Sequence, residues 1–152
     1  KEHSNLTRLS RWGLKVPKPL GIHKNVLVME YLGDEISPSL KLREVKVDFP
    51  EPVYDELLEF LAVTWQKAKL AHGDFSPYNI LWHDGGPVVI DVGQAVIETH
   101  PKAQEFLVRD VTRLVEWGQK QGLEVDLAGA MYEVLNMNLD HIEKLEIEFE
   151  EE

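Results

Sequence analysis

One stretch, from Ala71 to Gln94, constrains the fold of this chain more than any other. It predicts a loop, a strand (NILW), a tight turn at Asp84-Gly85-Gly86, a second strand (PVVI) and then Asp91. Asp74 and Asn79 lie five residues apart in the loop, and the hairpin folds Asp91 back beside them. The pattern therefore predicts that two acids and an amide meet at one end of a two-stranded ribbon.

These three side chains fit the chemistry of phosphoryl transfer, which depends on positioning and charge around a magnesium–triphosphate. Mg²⁺ takes a few hard oxygen ligands, which Asn79 and Asp91 would supply. Asp74, which the metal does not need, is placed to accept a hydroxyl proton or to orient a water. The letters HGDFSPYN followed by DVG match the protein-kinase signature, with Gly and Val in place of its usual Arg and Phe. A hairpin with polar turn residues at its ends is the alternative.

Size and composition narrow the class of protein. With 152 residues, 43% of them hydrophobic, the chain is long enough for one domain with its own core. It has no cysteine, which excludes disulfides and Cys-based metal sites. No apolar run reaches the length of a membrane span and no signal peptide is visible, so we expect a cytoplasmic protein with no membrane partner.

The net charge of −11 is uneven, because seven acids and one Lys fall within residues 140–152. We interpret this end as a solvated helix face or a frayed tail. An acidic chain binds nucleic acid poorly by charge alone. Direct nucleic-acid contact is left open, because a small basic patch is not excluded.

The likeness to the kinase signature implies an α+β fold: a protein-kinase-like C-terminal lobe, mostly helical with small β-hairpins, plus remnants of the N-terminal lobe. Residues 1–32 would be the remnant, with a helix, a hairpin and a hinge, and residues 33–152 the C-terminal lobe. The chain has no initiator Met, and no Gly-rich phosphate loop or strand Lys comes before its first helix. We therefore expect a fragment of a longer kinase, inactive by itself.

Hydrophobic periodicity predicts helices over residues 1–12, 51–70 and 101–121, and weaker ones over 125–136 and 139–148. A hairpin is predicted at residues 20–31 and a short helix within 38–45. Glu2 is either the acid that pairs with a lysine in kinases or a solvent-facing residue. Asp110 is either a surface acid or one that hydrogen-bonds the catalytic loop. His72 is expected to pack and to bond backbone groups.

In a two-lobed kinase fold, the run VLVMEYL would be the hinge that binds adenine through backbone groups, with an ordinary buried strand as the alternative. Met29 would lie at the back of the pocket, and the Glu30 carbonyl and the Leu32 N–H would bond adenine. Leu81 would form the apolar floor below the base. Ile90, at the end of the second strand of the hairpin, is also assigned to nucleotide binding.

The segments HGDFSPYNIL, IDVGQAV and HPKAQEFLVRDV, with the KE-x-x-NL-x-RL opening and VLVMEYLG, resemble the RIO family of atypical serine kinases, and its first subfamily best. The segment from His100 to Asp110 is the most specific part, because general kinases have a long activation loop and an A-P-E motif there. Here six residues separate Gly93 from His100. Gly73 and Phe75 look more like the second subfamily.

The resemblance implies a two-lobed kinase fold, ATP and Mg²⁺ as cofactors, and phosphorylation of serine or of the enzyme itself. It also implies a role in maturation of the small ribosomal subunit, whose precursor or proteins would be partners. Asp74 would be the catalytic base, and Asn79 and Asp91 the metal ligands, with Asp91 also essential to catalysis. Ser76 and Gln94 also occupy family motif positions.

Three alternatives remain on the sequence alone. Aminoglycoside and choline phosphotransferases share the H-G-D-x-x-x-x-N-I-L pattern, so a small-molecule kinase is one. A catalytically silent docking module is another. The third concerns the acceptor: because no peptide-binding segment follows Gly93, water or the enzyme's own residues could receive the phosphate.

Overall fold

The structure is a computed structural model that describes residues 1–17, 19–23, 26–29 and 40–146. The described elements confirm the predicted α+β class, with four α-helices and seven short strands in three small antiparallel sheets. In chain order they are α1 Glu2–Arg11, β1 Pro19–His23, β2 Val26–Met29, β3 Leu40–Lys41, α2 Pro50–Gln66, β4 Leu70–Ala71, β5 Ile80–His83, β6 Gly86–Val89, β7 Val96–Ile97, α3 Ala103–Lys120 and α4 Leu127–Asn136.

The central helix of the core is α2. It begins at Pro50, whose fixed φ suits a first helical turn, and it buries an apolar face against α3 and α4. The sequence predicts this helix as far as Leu70, but it ends at Gln66. Lys69 takes a left-handed φ of 60°, and β4 then pairs with β7. That pairing needs an extended backbone and so removes Leu70 from the helix.

The helix α3 confirms the predicted segment 101–121 with slightly shorter bounds. It ends where Gly122 adopts a left-handed φ of 89°, and the N–H groups of Gly122 and Leu123 bond carbonyls of the last turn. Its buried apolar residues recur every three or four positions, which is the period of one helix face. They are Ala103, Leu107, Val111, Leu114, Val115 and Trp117.

The β5–β6 hairpin has the predicted tight turn. Ile80 faces Val89 and His83 faces Gly86, so that Asp84-Gly85 forms a two-residue turn. Both turn residues have positive φ, 51° and 74°, as a type I′ turn requires. The strand β3 adds a third strand beside β5. A single 3-10 turn, Leu42–Glu44, stands where the sequence predicts a short helix.

The predicted helix over residues 139–148 is wrong for its described part. Residues 139–146 contain a turn and irregular backbone. Leu139 is buried in a small cluster with Ala62 and Val63, and the Leu145 N–H bonds the Arg11 carbonyl at the end of α1. Packing against α1 and α2 therefore takes the apolar residues that suggested a helix.

The helix α1 packs on the turn that follows Asp91. The Asn5 side-chain amide donates a hydrogen bond of 2.8 Å to the Val92 carbonyl, and Leu6 and Leu9 are fully buried. The hairpin β1–β2 is antiparallel, as predicted. No helix among the described residues is both long and apolar enough to cross a lipid bilayer.

Close contact between α2 and α3 at Gly118 gives a test of the packing. A Cβ at Gly118 would lie 2.9 Å from Cδ2 of the buried Tyr54 ring and 3.2 Å from a Val125 methyl. We expect Gly118→Ala to lower the free energy of unfolding by about 1 kcal/mol, because overpacking outweighs the gain in helix propensity. Urea denaturation followed by Trp fluorescence measures this. Glu116→Ala, at an exposed position of α3, is the control, and equal stability of both variants would contradict the packing.

Candidate phosphotransfer site

A buried acid on α3 anchors the loop that carries the predicted catalytic residues. Asp110 is 0% exposed, and its carboxylate accepts hydrogen bonds from the backbone N–H of Gly73 (2.9 Å) and of Phe75 (3.1 Å). Burial raises the pKa of Asp110, while these two bonds oppose the rise because they stabilise the charged form. Of the two predictions for Asp110, the one that bonds it to the catalytic loop is confirmed.

Gly73 stands where most kinases have Arg, and its surroundings explain the exchange. It has a φ of 86°, and a Cβ there would lie 2.7 Å from the Phe106 ring. The Arg109 guanidinium stacks on the same ring at 4.7 Å and donates a hydrogen bond to the Gly73 carbonyl. The loop is therefore held from α3 at consecutive peptide groups, and a side chain at position 73 has no room.

His72 ties the catalytic loop to the end of β6. The Asp74 N–H donates to His72 Nδ1 (3.0 Å), so Nε2 carries the proton and donates to the Ile90 carbonyl at 3.1 Å. Burial lowers the pKa of His72, which favours this neutral tautomer. His72 thus bonds backbone groups, as predicted.

Asn79 and Asp91 lie at the same end of the β5–β6 hairpin, where Ile80 pairs with Val89. The Asn79 side-chain N–H₂ donates to the Asp74 carbonyl (2.8 Å), and the Ile90 N–H donates to the Asn79 carbonyl (2.9 Å). Asp91 follows directly, exposed, with a left-handed φ of 57°. Left-handed backbone is uncommon for residues other than glycine and occurs often at functional sites. The structure therefore links Asp74, Asn79 and Ile90 by hydrogen bonds and puts Asp91 next in the chain.

One functional candidate was missed by sequence reasoning. Arg113 on α3 contacts the Asp74 carboxylate, with Nη1 to Oδ1 at 3.2 Å, and both side chains are 37% exposed. The sequence does contain a signal for this contact, because Arg109, Asp110 and Arg113 are spaced one and three residues apart on the helix that follows the DVG segment. All three side chains contact the catalytic loop from the same side of α3.

Glu2 lies beside Gly93, in the turn after Asp91. A Cβ at Gly93 would be 3.6 Å from Glu2 Oε2, and Glu2 is half-buried. The structure thus favours a position at the site over a fully solvent-facing one.

The donor set fits a magnesium ion held mainly by its substrate. Among the described residues no cluster of three or more His, Cys, Asp or Glu could hold a metal. Mg²⁺ commonly takes one or two protein ligands and completes its shell with phosphates and water. Because Asn79 uses its nitrogen on the Asp74 carbonyl, its Oδ1 is free of that bond and would be the atom to bind a metal, together with the exposed Asp91 carboxylate.

The predicted nucleotide contacts are spread over two hairpins. Leu81 is half-buried on β5 and Ile90 is half-buried after β6. Met29 ends β2. Glu30 and Leu32 lie outside the described residues, so the adenine contacts and the lobe boundary at residues 32/33 stay predictions.

The Asp110 anchor gives a test of the loop. We expect Asp110→Ala to lower the free energy of unfolding by about 2–4 kcal/mol, because it leaves two buried N–H groups without an acceptor. Asp110→Asn should fall between this variant and the wild type, since its single amide oxygen can replace one acceptor. Urea denaturation is the measurement. Asp55→Ala removes an exposed helical acid as the control, and an Asp110→Ala variant as stable as this control would refute the anchor.

Comparison with known proteins agrees with this geometry. The RIO domain family model matches residues 1–129. A RIO-type serine/threonine-protein kinase Rio1 from Haloferax volcanii is 43% identical over 133 residues, 88% of this chain and 45% of that protein. A serine/threonine-protein kinase RIO3 from Bos taurus is 33% identical over 168 residues, 95% of this chain and 32% of that protein. This chain thus spans less than half of either relative.

A solved structure has the same fold. The crystal structure of a Rio2 kinase–ADP/Mg²⁺–phosphoaspartate complex from Chaetomium thermophilum has a TM-score of 0.68 and 24% identity, covering 86% of this chain and 42% of that one. At this identity the likeness concerns the fold alone. With the family model matching most of the chain, the predicted resemblance is confirmed: this chain belongs to the RIO family and has its kinase-like fold.

Proposed function

We propose that this chain carries the catalytic and metal-binding loops of a RIO-type serine/threonine protein kinase that uses ATP and Mg²⁺. The observation that carries the proposal is the hydrogen-bonded loop in which Asn79 bonds the Asp74 carbonyl while Ile90 bonds Asn79. It holds Asp74 and Asn79 in a fixed relation to the residue before Asp91. Precise placement of such groups is the main source of rate in phosphoryl transfer.

In the proposed reaction the acceptor oxygen forms a bond to the γ-phosphorus of ATP while the bond to the β,γ-bridging oxygen breaks, and ADP leaves. Asp74 accepts the proton of the acceptor hydroxyl. Arg113 and the Asp74 backbone contacts hold that carboxylate in place. Asn79 and Asp91 would hold Mg²⁺, which would neutralise phosphate charge.

A cavity beside Asp74 supplies room for an acceptor. It has a volume of about 700 Å³ and lies between the segment after β3, the catalytic loop and α3. Its lining includes three cations (Arg43, Arg113, Lys120) and two acids (Asp74, Glu116). A cavity of this size has room for a short peptide segment or a small molecule, so it fits the proposed serine acceptor and the competing small-molecule acceptor alike.

Water is a second candidate acceptor, since the Asp74 side chain is 37% exposed and solvent reaches it. ATP hydrolysis and phosphate transfer would both use the Asp74 carboxylate. They differ only in whether water or an acceptor hydroxyl occupies the cavity.

Family membership supports the rest of the proposal. We propose on this basis that the chain belongs to the first RIO subfamily and acts in the cytoplasm in maturation of the small ribosomal subunit. Autophosphorylation is one proposed outcome of its activity.

A small-molecule phosphotransferase and a catalytically silent docking module are the competing functions. Phosphate transfer to a panel of small alcohols distinguishes the first, and absence of any Mg²⁺-dependent ATP turnover would favour the second.

The catalytic roles can be tested in the full-length protein. We expect Asp74→Ala to lower kcat by at least about 100-fold, the scale of general-base catalysis, with ADP–Mg²⁺ binding retained. Asp91→Ala should also weaken Mg²⁺-dependent nucleotide binding by about tenfold or more, because a ligand to the metal is lost. Radiolabelled phosphate transfer and calorimetry measure these effects. Asp48→Ala, at an exposed position, is the matched control, and turnover within a few fold of wild type in both site variants would remove the mechanism.

Arg113 can be tested as a positioning residue. We expect Arg113→Ala to lower kcat by roughly tenfold while KM for ATP changes little, because it orients Asp74 and a small misplacement costs rate. Arg113→Lys should restore part of the loss, since an ammonium can still contact Asp74. A purely structural role would instead change KM and thermal stability together, with no rescue by Lys.

A further inference from the structure

A second cavity lies on α1, away from the catalytic loop. Its volume is about 560 Å³, and α1, the end of α2 and the segment near residue 144 line it. None of Asp74, Asn79 and Asp91 lines it, and no acid is among its described lining residues. Six of the chain's sixteen Lys and Arg residues line the cavity: Lys1, Arg8, Arg11, Lys67, Lys69 and Lys144. We call it the α1 cation cavity.

This concentration of charge is unusual in a chain with a net charge of −11. Like charges held around one concave surface repel each other, and low-dielectric walls strengthen that repulsion. Lys69 forms an ion pair with Glu98 at 4.0 Å, but the pair is half-exposed and contributes little. A ligand with several negative charges would relieve the repulsion.

Two buried polar groups of the same cavity have no hydrogen-bond partner among the described residues. They are His3 Nε2 and Thr7 Oγ1, on residues that are only 6% and 3% exposed. The two residues are four apart on α1 and therefore share one helix face. A buried polar group without a partner costs about 1–3 kcal/mol, so such groups are rare unless a ligand or water completes them.

The unpaired groups and the cations suit the same ligand. An ionised phosphate oxygen accepts hydrogen bonds from a hydroxyl and from the Nε2–H tautomer of a histidine. Arg binds phosphate in a bidentate manner and Lys binds it as a point charge. Trp12 lines one side, with the Lys67 ammonium 5.9 Å from its ring centre, so an aromatic face holds that cation at the cavity.

We propose that the α1 cation cavity binds a ligand that carries several phosphate groups. Two sources share this chemistry: a small polyphosphate, and the backbone of single-stranded nucleic acid. The site is separate from the proposed phosphotransfer site and does not depend on it. It lies on the helix whose Asn5 bonds the turn after Asp91.

The experiment measures binding of two probes to the full-length protein, inorganic tripolyphosphate by calorimetry and a labelled ten-nucleotide oligouridylate by fluorescence anisotropy. Arg8→Gln/Lys144→Gln removes two exposed cations of the cavity. Lys46→Gln/Lys102→Gln removes two exposed cations that do not line it. We expect at least tenfold weaker binding for the first variant and less than twofold for the second.

The two arms identify the source. If tripolyphosphate alone binds, the ligand is a small polyphosphate. If the oligonucleotide binds and the salt slope of its affinity falls by about 1.4 in the cavity variant, that is two contacts at about 0.7 each, the ligand is nucleic acid. Tripolyphosphate can also bind at a nucleotide site. The difference in affinity between the two double Gln variants therefore decides whether it binds in the α1 cation cavity.

Thr7→Val tests the unpaired hydroxyl separately. Without ligand this variant should be at least as stable as the wild type, because the buried hydroxyl has no partner to lose, yet its affinity for the bound probe should fall severalfold. Thr112→Val, whose exposed hydroxyl bonds the Val108 carbonyl, is the control for binding.

Two results would overturn the proposal. The first is equal weakening of binding by both double Gln variants. The second is no binding of either probe below about 1 mM at 50 mM salt.

Discussion

The candidate site depends on one buried carboxylate. Asp110 accepts hydrogen bonds from two peptide groups of the catalytic loop, those of Gly73 and Phe75. A charge or acid at 0% exposure is tolerated only where such bonds satisfy it. Because Asp110 belongs to α3, which packs against α2 in the core, the position of the loop is set by the hydrophobic core.

From that anchor, bonds extend in two directions. His72 joins the Asp74 N–H to the Ile90 carbonyl, and Asn79 joins the Asp74 carbonyl to the Ile90 N–H. The backbone groups of the loop thus satisfy each other and the β-ribbon, while the Asp74 carboxylate and the Asp91 side chain stay accessible. This is the division that phosphoryl transfer asks of a protein: a rigid frame whose ionised oxygens face the substrate.

The chain has a net charge of −11, but its positive charges are unevenly distributed over the surface. The cavity beside Asp74 mixes three cations with two acids, whereas the α1 cation cavity collects six cations. Residues 1–12 and 67–69 are far apart in sequence, and the tertiary structure brings them together, with α1 packed on the turn after Asp91 and the Lys67 ammonium over the Trp12 ring. An acidic chain can therefore present a strongly basic concave surface.

The sequence by itself determined the local parts of this protein. The two-residue turn at Asp84-Gly85 and the apolar period of α3 each depend on neighbours within one element, and both appear as predicted. It also identified the RIO family, because the family's motifs are local strings of letters. The role of Asp110 stayed undecided on sequence alone, since a helical acid reads the same whether it faces water or a loop.

Only the tertiary structure decided the long-range contacts. Asp110 and Gly73 are 37 residues apart, and Arg113 and Asp74 are 39 apart, so no local period records their meeting. For the same reason β4 shortened α2, and packing of Leu139 replaced the helix predicted after residue 138. Local hydrogen bonding sets which elements can form, whereas burial and the pairing of distant polar groups select where they end and which side chains meet.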